Sequence, residues 1–280
     1  RFTFSQLHDA VERVARERAD LPTTSSAVAN ALFLARSNYH VVKPEGDDIS
    51  ELVLYPLSED ESRGMEDLRL VQFTHDDGRR EYYGTYTAFN GYRILPMLLQ
   101  TTDFGRIEMH SLNGACALNK GMALFPRKIG GSFVMCSRID GQNLYINASD
   151  NPYFWETAQK LKAPRNAWEL MQIGNCGSPI ETPEGWLLLT HGVGPMRTYC
   201  ISAMLLDLED PLRVLGVLPE PLITPDGEER EGYVPNVVYT CGALLHGEKL
   251  LIPYAYADDN TTFATVEIDW LINRLLECRG

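Results

Sequence analysis

At 280 residues, 44% hydrophobic and 22% charged, the chain has ordinary globular composition and enough length for a large core. A formal net charge of -13 from scattered acids excludes a nucleic acid or an anionic membrane as the main partner, though not a local basic pocket for a small anion. No apolar run approaches the roughly 18 residues that span a bilayer and no secretory hydrophobic region is present, so a cytoplasmic protein is expected. The sequence begins at Arg1 rather than Met, which leaves room for an upstream segment.

Residues 4–19 carry a helical pattern, with Leu7, Ala10, Val11 and Val14 at helical spacing and Ser5 as an expected cap. The periodicity then changes to two. Strand-like runs include Glu51–Tyr55, Leu70–Phe73, Glu81–Tyr86, Ile107–His110, Ser132–Cys136 and Leu144–Ile146. Further runs are Trp186–Thr190, Ile201–Leu206, Val237–Tyr239, Leu250–Tyr254 and Phe263–Ile268. Turn signals such as Asp76-Asp77-Gly78, Asp140-Gly141 and Pro183-Glu184-Gly185 separate several as hairpins. Nothing between strands reads as a crossover helix, which argues for an antiparallel all-β protein. Strand clusters recur about every 45–50 residues, the spacing of propeller blades of about four strands. The expected architecture is an all-β, five-bladed β-propeller with an N-terminal helix outside the blades: residues 1–25 a helical extension, residues 26–280 the catalytic propeller.

Cys116, Cys136, Cys176, Cys200, Cys241 and Cys278 include no C-x-x-C pair. Most lie in apolar runs, so free thiols in a reducing compartment are expected and no metal site is read from them.

Polar clusters interrupt the strands. The first is Gly64-Met65-Glu66-Asp67-Leu68-Arg69-Leu70. If a strand begins at Leu68, Asp67 and Arg69 share one face and Leu68 and Leu70 the other. By itself this reads as a surface ion pair worth at most about 1 kcal/mol. The next clusters are Thr85–Gly91, Asn119–Lys128 closed by Ser137-Arg138, and Gln172–Thr182 continued by Thr190-His191-Gly192-Val193. Tyr233–Tyr239 and Tyr254–Asp259 complete the set. Individually these are a solvated strand end at Arg127-Lys128, a packed core histidine at His191, a turn at Asn119-Lys120 and a surface loop at Asp258. Gly174–Gly177 is no nucleotide loop, because no helix pattern follows.

Taken in order, Glu-Asp-x-Arg, Leu-Phe-Pro-Arg-Lys, Pro-Ile-x-Thr-x-x-Gly-Trp-Leu, His-Gly-Val and Val-Pro-Asn-Val resemble glycoside hydrolase family 130, the mannoside phosphorylases and related β-mannosidases, over residues 28 to 270. That family's five-bladed propeller agrees with the spacing. The resemblance implies that Asp67 is the catalytic acid, its proton relayed to the glycosidic oxygen by a mannose hydroxyl. Such an acid needs a raised pKa, for which the neighbouring Glu66 is a candidate cause. Arg127, Arg138 and His191 are implied phosphate ligands, the planar guanidinium suiting phosphate oxygens. Asp258 is an implied sugar ligand. Glu66, Arg69, Tyr86, Asn90, Asn119, Lys120, Asn236 and Tyr239 are the other expected substrate-binding residues. Phosphate then displaces the leaving sugar with inversion, giving α-mannose 1-phosphate.

The sequence departs from the family at two points. Gln172 stands where characterised phosphorylases carry a lysine, with Arg197 a nearby substitute, and Leu68 stands where many members have proline. The alternatives are a β-mannosidase using water, with Glu169 or Glu181 as base, and a non-catalytic glycan-binding propeller. The expected partners are a carbohydrate and inorganic phosphate as co-substrate, with no cofactor or metal; by family analogy a homo-oligomer is expected through the N-terminal helix.

Overall fold

The computed structural model describes residues 3–18 and 24–278. Helix α1, Phe4–Glu17, is capped by Thr3 rather than Ser5. Thr3 Oγ1 accepts from the Gln6 amide at 3.2 Å, and Gln6 Oε1 accepts from the Thr3 amide at 2.9 Å. This reciprocal pair needs Gln three residues on, which Thr3 has and Ser5 lacks. The last residue of the expected 4–19 helix lies outside the described residues. A second helix, α2, Thr24–Ser37, runs through the boundary expected at residue 25. Its Ala27, Val28, Ala31, Leu32, Phe33 and Leu34 are spread round the helix, so no single apolar stripe announces it.

Sheet 1 contains β1 (Tyr39–Val42), β2 (Gly64–Thr74), β3 (Arg80–Phe89), β4 (Ile94–Thr101) and β5 (Arg106–Ser111), in the order β1-β5-β4-β3-β2. Sheet 2 contains β6 (Ala123–Leu124), β7 (Phe133–Ser137), β8 (Leu144–Ser149) and β9 (Ala158–Lys162). Sheet 3 contains β10 (Gln172–Asn175), β11 (Ile180–Thr182), β12 (Gly185–Val193), β13 (Tyr199–Leu206) and β14 (Val214–Val217). Sheet 4 contains β15 (Val238–Tyr239), β16 (Leu244–His246), β17 (Lys249–Tyr256) and β18 (Asn260–Glu267); helix α3, Ile268–Glu277, follows. All the strand pairings are antiparallel.

The fold is all-β and propeller-like, but the described residues form four sheets and not five. A uniform 45–50-residue spacing miscounts because sheet 1 alone runs from Tyr39 to Ser111, while α2 and α3 take residues that the spacing assigned to the blades.

Three apolar clusters join consecutive sheets. Phe73, Tyr83 and Leu98 of sheet 1 pack with Leu124, Phe133 and Met135 of sheet 2. Val134, Cys136 and Ile146 of sheet 2 pack with Ile173, Trp186 and Leu188 of sheet 3. Leu187, Leu189 and Ile201 of sheet 3 pack with Val238, Leu250 and Ile252 of sheet 4 and with Leu271, Ile272 and Leu275 of α3. A fourth cluster, around Met97, Leu99, Ile107 and Met109, belongs to sheet 1 alone and is covered by Leu52 and Leu54.

Helix α3 lies so close to β14 that a methyl group at buried Gly216 would overlap the Leu275 carbonyl oxygen. Gly216→Ala is therefore expected to destabilise the fold by about 1–3 kcal/mol, read as a lower denaturant midpoint with unchanged slope.

Candidate functional site

The sheets converge on a cavity of about 420 Å³ lined by Glu66, Asp67, Lys120, Arg138, His191, Arg197, Tyr199, Val234, Val237, Tyr239 and Asp258. β2 delivers its acids through a bulge. Glu66 pairs with Thr87 and Arg69 with Thr85, so the register shifts between them, and Asp67 takes a left-handed φ of 57°. A bulge with its first residue left-handed normally uses glycine, and aspartate is among the few other residues that tolerate it. Asp67 and Arg69 consequently face each other, with Arg69 Nη2 3.8 Å from Asp67 Oδ2.

Left-handed backbone recurs around the cavity. Among the described non-glycine residues it occurs at Asp67, Asn119, Met196, Arg197, Asn236, Ala257 and Asp258, and elsewhere only at Phe104. Each of the seven lines the cavity or lies next in sequence to a residue that does. Such conformations cost on the order of 1–3 kcal/mol each and persist only where the surroundings hold them.

Arg69 is 2% exposed. Its Nη1 donates to the Asp67 carbonyl at 3.1 Å and its Nη2 donates to the Tyr239 hydroxyl at 2.6 Å, tying sheet 1 to sheet 4. Burial disfavours its charge, but Tyr239, Cys241 and Asp67 outweigh that and its pKa is pushed up. Burial likewise raises the Tyr239 phenol, which stays protonated. Lys120 pairs with Glu66, so the acid next to Asp67 carries its own counter-charge.

His191 on β12 is paired across the strand with Gly174, and a Cβ there would come within 2.5 Å of the imidazole. Burial, then the Arg138 and Arg69 cations, hold the His191 pKa well below the usual imidazole range. The ring is neutral: Nδ1–H donates to the Asn175 carbonyl at 3.3 Å and Nε2 accepts from Arg138 Nη1 at 3.0 Å. The ion pairs that reach this region are Arg69–Asp67, Lys120–Glu66 and Arg127–Glu181. Among the described residues neither Arg138 nor Arg197 has a carboxylate partner.

The cavity thus gathers Asp67, Glu66, Lys120, Arg138, His191, Arg197, Tyr239 and Asp258 from the sequence reading, with Arg69 directly behind Asp67. Other expected ligands stand elsewhere. Arg127 makes a fork with Glu181, at 2.7 and 3.0 Å, and stacks over Trp186 at 4.8 Å, outside the cavity lining. Tyr86 is buried in sheet 1 and donates to Glu61 at 2.6 Å. Asn90 shapes a turn, accepting from the amides of Tyr92 and Arg93 at 3.0 and 2.9 Å. Asn119 accepts from the Lys120 amide at 2.9 Å, and the Asn236 carbonyl accepts from the Tyr199 amide at 2.9 Å; both support lining residues from behind. Tyr199, Val234 and Val237 line the cavity without having been singled out. The signal for Tyr199 was its place two residues past Arg197, where β13 begins.

The suggested water-activating bases do not line the cavity. Glu169 is fully buried, accepting from Lys162 at 2.5 Å and from the amides of Arg165 and Asn166 at 2.9 and 3.1 Å. Glu181 is the partner of Arg127. All six cysteines are free. Among the described residues no helix is long and apolar enough to cross a membrane.

Fold and site together define a propeller-like protein in which acids and, among the described residues, two arginines without carboxylate partners share one polar cavity. A family model described as beta-1,4-mannooligosaccharide phosphorylase matches residues 31–277, and the chain belongs to glycoside hydrolase family 130. It is 35% identical over 247 residues to a 1,2-beta-oligomannan phosphorylase from a Thermoanaerobacter species, covering 84% of this chain and 80% of that one. It is 32% identical to a beta-1,4-mannooligosaccharide phosphorylase from Ruminococcus albus, covering 69% of this chain and 61% of that one. Among solved structures it superposes on a beta-1,2-mannobiose phosphorylase from Listeria innocua, in complex with beta-1,2-mannobiose, with TM-score 0.71 and 28% identity. That match covers 79% of this chain but 63% of the Listeria chain.

Replacing Arg69 by Met strands the Tyr239 hydroxyl and the Asp67 carbonyl. We expect a loss of roughly 2–3 kcal/mol in chemical denaturation. The neutral His191 makes a second prediction. The unfolded imidazole takes up a proton below about pH 6.5 while the folded one does not, so its contribution is present above that pH and is lost as pH falls. In His191→Gln the fall in stability from pH 7 to pH 5 should be shallower than in the wild type, by up to about 1.4 kcal/mol per pH unit.

Proposed function

We propose that this chain is an inverting β-mannoside phosphorylase. The observation that carries the reading is that Arg138 and Arg197, without carboxylate partners among the described residues, line the same cavity as Asp67. An anion entering it meets two guanidinium groups that match phosphate oxygens in pairs. A glycosidase using water needs a second carboxylate to activate it, and the two acids expected for that task are bound up elsewhere.

In the proposed reaction Asp67 supplies the proton for the leaving oxygen, relayed through a mannose hydroxyl as the family resemblance implies. A phosphate oxygen attacks the anomeric carbon from the opposite face, the bond to the leaving sugar breaks with its electron pair, and the products are α-mannose 1-phosphate and the shortened sugar. Lys120 neutralises Glu66 and leaves Asp67 as the acid for transfer. Asp258 and Tyr239 are the polar groups we assign to sugar hydroxyls. No cofactor is invoked, and six free thiols suit a reducing cytoplasm.

The test is product analysis on β-1,2- and β-1,4-linked mannosides with and without inorganic phosphate. The β-1,2 linkage comes first, because it is named in the two relatives above with the larger shared spans. Mannose 1-phosphate formed only with phosphate is the expected result, and Asp67→Asn should lower kcat by about 10²–10⁴. Free mannose formed equally in both conditions would overturn the reading and turn attention to Asp258.

A further inference from the structure

Gln172 is the first residue of β10 and is absent from the cavity lining, yet it touches the group that matters most there. Its amide has one orientation that matches donors to acceptors. With Oε1 toward Arg138 Nη1 at 2.5 Å and Nε2 toward the Gly141 carbonyl at 3.2 Å, both ends are satisfied. The reverse orientation sets an NH2 group against a guanidinium and a carbonyl against a carbonyl. In the matched orientation Oε1 also lies 3.4 Å from His191 Nε2 with no hydrogen bond between them, since both accept from Arg138 Nη1.

Two hydrogen-bonded arms run outward from Arg138 Nη1. Gln172 donates to the Gly141 carbonyl and accepts from Arg138 Nη1; the same nitrogen donates to His191 Nε2, and His191 Nδ1 donates to the Asn175 carbonyl. Backbone anchors both ends. Asp140 accepts from the Gln142 and Asn143 amides at 3.0 and 2.8 Å, and the Ile173 amide donates to the Gln142 carbonyl at 2.9 Å, so the Gly141 loop is fixed to β10. Both hydrogens of Arg138 Nη1 are thereby committed; Nε is buried without a partner, and Nη2 is the nitrogen left to meet a ligand in the cavity.

We propose that Gln172 is the positioning residue of the anion site: by clamping Arg138 Nη1 between a glutamine oxygen and a neutral imidazole, it fixes the direction in which the guanidinium meets phosphate. This rests on the phosphorolytic reading above. His191 then acts as the second jaw of the clamp and not as a donor to phosphate. In this chain a lysine at 172 would set an ammonium beside Arg138 and remove the acceptor that holds it, so Gln172→Lys is expected to weaken the site.

Three variants test this in steady-state kinetics with phosphate and mannoside varied separately. Gln172→Leu removes both hydrogen bonds and should raise KM for phosphate about tenfold, with KM for the mannoside within about twofold of wild type. Gln172→Glu keeps an acceptor but cancels the Arg138 charge, and should raise KM for phosphate further. Gln172→Lys should also raise it. A lower phosphate KM in Gln172→Lys, or equal rises in both KM values in Gln172→Leu, would overturn the proposal.

Nitrogen-15 NMR of the histidine side chains, with His191 assigned by its absence in His191→Gln, gives a readout independent of turnover. Wild type should show His191 protonated at Nδ1 with a hydrogen-bonded Nε2, and Gln172→Leu should move the Nε2 signal toward that of free imidazole. An unmoved signal overturns the clamp. A wild type without phosphate dependence, but with the expected NMR shift, overturns the functional reading alone.

Discussion

A buried guanidinium holds the centre of this molecule. Between sheets 1 and 2, 2 and 3, and 3 and 4 buried apolar clusters carry the packing, with polar links such as Arg127–Glu181 and Arg138–His191 added between sheets 2 and 3. Among the described residues no buried apolar cluster joins sheet 4 to sheet 1. There the link at the axis is Arg69, through its bonds to the Asp67 carbonyl and the Tyr239 hydroxyl. Burying a charge of this kind is expensive unless it is paired and hydrogen-bonded. The arrangement is therefore a directional constraint more than a source of net stability. It fixes the bulge that presents Asp67 and the tyrosine on the facing strand, and so sets the spacing of groups from two sheets across the cavity.

Strain follows from that demand. A regular strand would alternate side chains between two faces, and Glu66 and Asp67 could not both line one cavity. The bulge breaks the alternation at the cost of a left-handed aspartate. The consecutive left-handed pairs Met196-Arg197 and Ala257-Asp258 do the same at two other loops, each delivering a charged side chain to the cavity. The energy comes from the large cores between the sheets, which is why the strained positions concentrate where chemistry is expected and are nearly absent elsewhere.

What the sequence disclosed and what it hid divide along the same line. Hairpins and alternating strands are local, and most strand runs lie where periodicity placed them. The clusters around Asp67, Arg138, His191, Tyr239 and Asp258 were legible because charged and glycine-rich segments interrupt apolar strands, and because their order resembles one family. Partner choice was not legible. Arg127 looks as available as Arg138 in the sequence, but Glu181, on another sheet, takes its guanidinium. Tyr86 looks like a sugar-facing ring, but the buried Glu61 also accepts from Tyr39 and from the Ser58 amide, and Tyr86 completes that network. The number of sheets was misread for a related reason, since a repeat length does not show which strands share a sheet.

Charge gives the last step. The chain as a whole carries -13, so its outer field repels phosphate, and general electrostatic attraction does not account for an anion site. Selectivity has to be local and geometric. Within the cavity Glu66 is cancelled by Lys120, Arg69 is spent on Asp67 and Tyr239, and His191 is held neutral by burial and neighbouring cations. What remains is two acids, Asp67 beside Arg69 and Asp258 in the loop after β17, and two arginines from different sheets and loops, Arg138 and Arg197. Acid and anion functions are thereby separated onto different side chains without a titrating histidine between them. A neutral glutamine behind Arg138 is consistent with that design: it directs the guanidinium without adding a charge that the surrounding cations would oppose.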